Sequence, residues 1–201
     1  MKFLELNKKR HATKQFNAKK VDYQDIRTAI EIAQLAPSAH NMQPWKFVVV
    51  EEKKQDLAEI ARGSNGDQIL SASYTVAVFS DTDLEKRARK IARIGGAQNF
   101  SEEQLQIYLK NLPNEFARYS DQYKSDYLAL NAGLVAMNLV LALTDQGLAS
   151  NIILGFDKAK ANDVLDIDPR FRPEVLVTIG YSDDKLEPSY RLPVDEIIER
   201  R

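Results

Sequence analysis

The stretch Pro37-Ser38-Ala39-His40-Asn41-Met42-Gln43-Pro44-Trp45-Lys46-Phe47-Val48-Val49-Val50 changes character twice. Pro37 disfavours helical geometry at Ala36, and Ser38, His40 and Asn41 carry side chains that bond turn backbone. After the only Trp, Lys46 to Val50 reads as a buried strand. Upstream, Asp22 precedes Ile26, Ile30 and Ala33 on one helical face, with Asp25 three residues on as a weak capping box, so a helix is expected to about Ala36. A helix, a polar loop and a strand in immediate succession point to a mixed helix and strand fold.

The pattern continues outward. Lys53 to Arg62 reads as a helix, Gly63-Ser64-Asn65-Gly66-Asp67 as a turn and Tyr74 to Phe79 as a second strand. Asp83 to Arg93 is a charged helix broken by Gly95-Gly96. Ser101-Glu102-Glu103-Gln104 opens another, with Leu105, Leu109 and Leu112 on one face, and Pro113 is expected to end or kink it. Ser125 to Gln146 is the longest helix, apolar on nearly all sides from Leu128 to Leu143 and closed by Gly147, as expected of a buried element within a subunit interface. Ile152-Ile153-Leu154 forms a short apolar segment before Gly155, Asp157 starts a helix through Leu165, and Glu174 to Tyr181 reads as a third strand. Tyr190-Arg191-Leu192-Pro193 lies in a tail with no core of its own. No repeat or linker appears, so one domain over residues 1–201 is expected.

Composition removes several classes of function. Twenty-eight basic against 29 acidic side chains give a formal charge of −1, which offers no general attraction to nucleic acid or an anionic membrane. With no Cys and only two His, thiol nucleophiles, iron–sulfur clusters and histidine-rich metal centres are unsupported. The glycines match neither the dinucleotide fingerprint nor the phosphate loop, and no Gly-x-Ser-x-Gly elbow is present. The N-terminal residues lack the apolar core of an export signal, and the run Ala132 to Leu143, interrupted by Asn138, is shorter than a bilayer needs. The expectation is a cytoplasmic protein.

Arg10-His11-Ala12-Thr13-Lys14 places three nitrogen-rich side chains within five positions. A planar Arg fork suits a phosphate and Lys an electron-rich ring edge, and flavin mononucleotide (FMN) offers both. Solvated charges at a helix end explain the same residues. Asn41, Gln43 and Trp45 suit either a flavin edge or a plain helix-to-strand connection, and Asn65 and Gln68 either the uracil-like edge or turn chemistry. Lys86, Arg87, Arg89, Lys90 and Arg93 form a cationic face that is either solvated or a recruiter of anionic substrate such as nicotinamide phosphates.

The ordered set of motifs resembles the FMN-dependent nitroreductase family over essentially the full chain. It rests on Arg10 to Lys14, Pro37 to Phe47, Asn65-x-x-Gln68 before Ala72-Ser73-Tyr74, Gly147-Leu148 to Gly155-Phe156, and Arg191-Leu192-Pro193. The resemblance implies an α+β, three-layer α-β-α fold with a mainly antiparallel sheet, in an intertwined homodimer whose C-terminal extension is exchanged between subunits. It further implies two FMN sites in the dimer cleft. Arg10, His11, Ala12 and Lys14 would come from one chain and Pro37, Ser38, Ala39 and Asn41 from the other. Asn65 and Gln68 would approach the pyrimidine edge or ribityl chain, Ile153, Leu154 and Gly155 the ring, and Arg191 the phosphate.

The implied activity is reduction of nitroaromatics, quinones or other flat electrophiles, with NADH or NADPH delivering hydride to flavin N5 before a small-molecule acceptor takes its place. Other flavin enzymes on the same scaffold, such as a reductive dehalogenase, a flavin-fragmenting enzyme or a dehydrogenase, differ in the lid near Gly95 to Tyr123, and a non-enzymatic flavin carrier is the remaining alternative. The sequence departs from the family pattern at Ala12 for a common Ser, Gln68 for a Lys in some members, Leu154 for a Glu in some, and Ser189 near a position that can be Lys.

Overall fold

Every residue from Tyr74 to Asp81 is buried, which requires cover on both faces of the strand they form. Side chains alternate between faces along a strand, and here Val76 and Val78 join one apolar cluster while Ala77 and Phe79 join another. Val175, Val177 and Ile179 repeat the split against Leu176 in the neighbouring strand. Three layers follow: helices, sheet, helices.

The computed structural model describes residues 2–94, 101–185 and 189–201, apart from the side chains of 105, 108 and 113; the break expected at Gly95-Gly96 lies outside them. In chain order the elements are α1 Phe3–Lys9, α2 Tyr23–Ala33, β1 Trp45–Val50, α3 Lys54–Glu59, α4 Asn65–Ser71, β2 Tyr74–Asp81, α5 Leu84–Ile94, α6 Glu102–Arg118, α7 Asp121–Asp145, β3 Ala149–Ile153, α8 Lys158–Leu165 and β4 Phe171–Gly180. The sheet has the order β1-β2-β4-β3 and all its pairings are antiparallel. A register shift beside Val78 and Phe79 places Glu174 opposite no partner in β2.

Helices α2 and α7 cover one face through Ile26, Ala29, Val135, Leu139 and Leu143. The other face is covered by Leu57 of α3, Ile69 of α4 and Ala161 and Leu165 of α8. A third cluster joins Met42 to Leu84 and Ala88 of α5, Leu112 and Phe116 of α6, and Tyr127 and Leu128 of α7. Asn138, which interrupts the apolar run of α7, donates to the carbonyls of Ile32 and Ala33 at 3.1 and 3.2 Å, satisfying the end of α2.

Several expectations are corrected. Of the two outcomes expected at Pro113, an end is ruled out: helix α6 continues through it to Arg118, because burial of Leu112 and Phe116 on either side outweighs one lost backbone bond. The turn at Gly63 is shorter than expected, with α4 beginning at Asn65. Ala149–Ile153 is a full strand, so among the described residues the sheet has four strands and the segment near Glu174 is the fourth in sequence. Asp22 caps α2 as expected, accepting from the Gln24 N–H at 2.8 Å, but the helix ends at Ala33 and not near Ala36. Helix α7, with 25 residues, is long and apolar enough to cross a bilayer, contrary to the shorter run read from sequence, but 61% of its most apolar window is buried in this chain.

Candidate functional site

Three groups of residues with binding chemistry are built separately. The first follows α1. Arg10 is its C-cap, and its backbone N–H still donates to the Leu6 carbonyl. Beyond it the chain extends along the sheet edge: Ala12 bridges Ser150 of β3, and Thr13 N–H donates to the Ser150 carbonyl at 3.1 Å. Phe16 fixes this run, because its ring lies where a Cβ on Gly180 would come within 2.7 Å of Cδ1. His11 is held locally, with Nδ1 3.1 Å from the Lys9 carbonyl and Nε2 3.2 Å from Thr13 Oγ1. Among the described residues no ion pair engages Arg10 or Lys14, which leaves both cations free for an anionic ligand.

The second group surrounds the end of β3. Asn65 Nδ2 donates to the Gly155 carbonyl at 3.0 Å, and Arg62 N–H donates to the same oxygen at 2.8 Å. Gln68 is buried, and its amide links neighbours: Nε2 lies 3.4 Å from Asn65 Oδ1, while Oε1 accepts from Asn151 Nδ2 at 2.6 Å. Gln68 therefore orients Asn65 through an internal relay. Gly155 has no room for a side chain, since a Cβ would lie 2.7 Å from Asn65 Nδ2. The Ile153 side chain is in the core, so only its backbone can face a ligand, whereas Leu154 is exposed. Asn151 was missed by sequence reasoning; its sole signal was a polar residue within an apolar strand.

The third group is the loop from Pro37 to Trp45. His40, Asn41 and Gln43 have φ of 56°, 51° and 46°, a left-handed conformation that is costly for residues other than glycine. The surrounding elements hold it there. Tyr127 Oη donates to the Ala39 carbonyl at 2.8 Å, Ala39 N–H to Asn131 Oδ1 at 3.3 Å, and Gln43 N–H to Ser38 Oγ at 2.8 Å. Arg87 donates to the carbonyls of Met42, at 3.2 Å, and of Gln43. Burial pushes the Arg87 pKa down, with Asp81 opposing.

Asp81 itself is buried and takes a bidentate pair from Arg170 at 2.6 and 2.5 Å. The clamp at Arg87 was invisible in sequence, where it is one of five cations on a helix. Asn131 had a faint signal as an amide within an apolar run.

The sheet separates these groups. The loop enters β1 at one edge and bonds to α7 on one face, whereas Gly155 follows β3 at the other edge, with α4 on the opposite face. Three strand spacings, about 14 Å, lie between the two edge strands. Arg10 to Lys14 sit on the β3 side with the second group. Arg191 belongs to the exposed segment 189–201, where it donates to the neighbouring Tyr190 carbonyl at 2.7 Å.

The three-layer α+β fold with an antiparallel four-stranded sheet is that of an oxidoreductase family. A family model for the nitroreductase family matches residues 8–181, and the chain belongs to that family of enzymes. It is 64% identical over 201 residues, the full length of both, to a Streptococcus pyogenes protein provisionally named NAD(P)H nitroreductase Spy0809. A nitroreductase family protein of Streptococcus pneumoniae TIGR4 superposes with a TM-score of 0.95 at 76% identity over all of both chains. A protein of Exiguobacterium sibiricum, provisionally named a nitroreductase and solved in complex with FMN, is 27% identical with a TM-score of 0.90 over 100% of this chain and 98% of that one.

Proposed function

We propose that this chain is an FMN-dependent oxidoreductase that consumes NADH or NADPH and reduces nitroaromatics, quinones or related flat electrophiles. The observation that carries the reading is the linked set of amides Asn65, Gln68 and Asn151 at the end of β3, on the same sheet edge as Arg10 to Lys14. The residues present fit FMN. The Asn65, Gln68 and Asn151 amides supply the donors and acceptors that a pyrimidine edge requires, and Arg10 and Lys14, without an ion pair among the described residues, supply positive charge for a phosphate and a ring edge. Bound there, FMN would supply the redox chemistry, taking hydride from the nicotinamide and passing it to the acceptor. The chain itself binds and orients: Arg10 and Arg191 hold phosphate, Gly155 leaves room for the Asn65 amide beside the ring, and exposed Leu154 lends apolar cover.

The separation of the groups supports a homodimer in which Arg10, His11, Ala12 and Lys14 of one protomer face Pro37, Ser38, Ala39 and Asn41 of the other. Two unpartnered apolar surfaces support the same assembly. A groove of ≈550 Å³ on α7 is lined by Leu35, Leu130, Leu134 and Met137. Tyr190, Leu192, Val194, Ile197 and Ile198 of the tail are all exposed, as expected of an extension that packs on a second copy.

The test is direct. The purified protein is expected to be yellow, to take up FMN at about micromolar concentration, and to oxidise NADH or NADPH when a nitroaromatic is added. Arg10→Ala is expected to weaken FMN binding by about 1.5–3 kcal/mol through the lost charge-assisted phosphate bonds. A colourless protein that takes up no FMN on titration refutes the reading.

A further inference from the structure

The chain carries a formal charge of −1, yet one pocket of ≈510 Å³ gathers Lys86, Arg87, Arg89, Lys90, Arg93 and Arg170 around a single carboxylate, Asp81. That carboxylate is already committed to the bidentate pair with Arg170, with Arg87 3.9 Å away. Asp83 and Asp168 nearby each give an oxygen to backbone N–H groups, of Lys86 at 2.9 Å and Arg170 at 2.8 Å. Lys46 adds another cation, its Nζ 4.4 Å from the centroid of Phe171, which forms a wall of the pocket.

Lys86, Arg89, Lys90 and Arg93 are exposed, and among the described residues none has an ion-pair partner. Glu85 precedes Arg89 by one helical turn, the favourable order for an ion pair, but no such pair forms. The four cations instead neighbour one another at spacings of three and four residues, each such pair working against the helix. A concave surface with this much unmatched charge is suited to a multiply charged anion, whose attraction is strengthened by the low-dielectric wall. The pocket also adjoins the loop assigned to flavin, because Arg87 both lines it and holds the Met42 and Gln43 carbonyls.

We propose that this pocket is a phosphate subsite for the nicotinamide donor, taking its phosphate groups on Lys86, Lys90 and Arg93 and favouring NADPH, one phosphate richer, over NADH. The proposal rests on the reading of the chain as an NAD(P)H oxidoreductase. Arg87 and Arg170 are committed to the loop and to Asp81 and serve as the fixed floor of the subsite.

The test compares the wild-type protein with the triple variant Lys86→Gln, Lys90→Gln and Arg93→Gln, all exposed positions whose like charges helix α5 does not need. Calorimetric titration with pyrophosphate and with 2′,5′-ADP is expected to show binding that weakens as salt is raised and falls about tenfold or more in the variant. FMN uptake and thermal stability should be unchanged. In steady state, the ratio of KM for NADH to KM for NADPH is expected to exceed one in wild type and to collapse towards one in the variant. Equal binding of both probes to the two proteins overturns the subsite. Loss of pyrophosphate binding with unchanged KM for both nicotinamides overturns the assignment of the donor. Failure of wild type to take up FMN or oxidise either nicotinamide would defeat the underlying functional reading, whereas the calorimetric arm measures the anion subsite independently of turnover.

Discussion

Replacing Arg87 with Ala removes the clamp that holds the Pro37 to Trp45 loop. Three charge-assisted bonds are lost, to the carbonyls of Met42, Gln43 and, at a long 3.5 Å, Trp45; the two shorter ones, at about 1.5–3 kcal/mol each, set a ceiling of about 3–6 kcal/mol. Two effects reduce it. The burial that lowers the Arg87 pKa is relieved, and partly buried carbonyls regain contact with water. The long ion pair with Asp81, at 3.9 Å, adds little, because Arg170 still engages both carboxylate oxygens at 2.6 and 2.5 Å. The net expectation is a destabilisation of about 2–4 kcal/mol, a large share of the ~5–15 kcal/mol typical of a domain.

The assay is urea unfolding followed by far-UV circular dichroism, with a lower midpoint and an unchanged slope. FMN affinity should fall as well, since His40, Asn41 and Gln43 would relax from left-handed backbone once unrestrained. Arg87→Lys, which keeps the charge but loses the planar fork, should lie between. A loss below about 1 kcal/mol for the Ala variant would refute the clamp, because it would equal the effect of an ordinary surface change.

Gly155→Ala drives a Cβ to within 2.7 Å of Asn65 Nδ2, and the displaced amide should weaken FMN binding by about tenfold while lowering stability by only about 0.5–1.5 kcal/mol; fluorescence titration of FMN alongside thermal melting separates the two. Leu134→Asp places a charge in the apolar groove of α7 and is expected to yield monomers in sedimentation velocity, with FMN retention lost in parallel; a dimer that persists would place the interface elsewhere. The Tyr119 hydroxyl donates to Glu115 Oε1 at 2.5 Å, and that bond is the main cause of a pKa pushed up from 10.0 to about 12. The neutral phenol is the bonded form, so any stability it provides is fully present below pH 10 and is lost as pH rises through about 12. Ultraviolet titration of Glu115→Gln should show one tyrosine ionising at lower pH than in wild type.

Most of the helices and strands were legible in the sequence because their determinants are local. Asp22, Ser101 and Asp157 each announce a helix by a side chain that reaches backbone only two or three residues ahead. The apolar run that becomes β2 needed only its own composition to be read as a strand. Pro113 misled because a local penalty was set against the burial of Leu112 and Phe116, which exists only once α5, α6 and α7 have met. Asn65 and Gln68 were recognisable as binding chemistry, but Gln68 as a buried relay to Asn151 was not, because those residues lie 83 positions apart.

By itself the sequence determined most of the elements and their order, the absence of thiol chemistry, and which side chains are candidates to hold a phosphate and a planar ring. Tertiary structure alone decided which of them can meet. It set the Pro37 loop and Gly155 at opposite edges and opposite faces of one sheet, it turned Arg87 from a surface cation into a clamp, and among the described residues it left Lys86, Lys90 and Arg93 with no ion-pair partner. The physical reason is that hydrogen bonds and charges act over a few ångströms in space, whereas sequence patterns report only on neighbours along the chain.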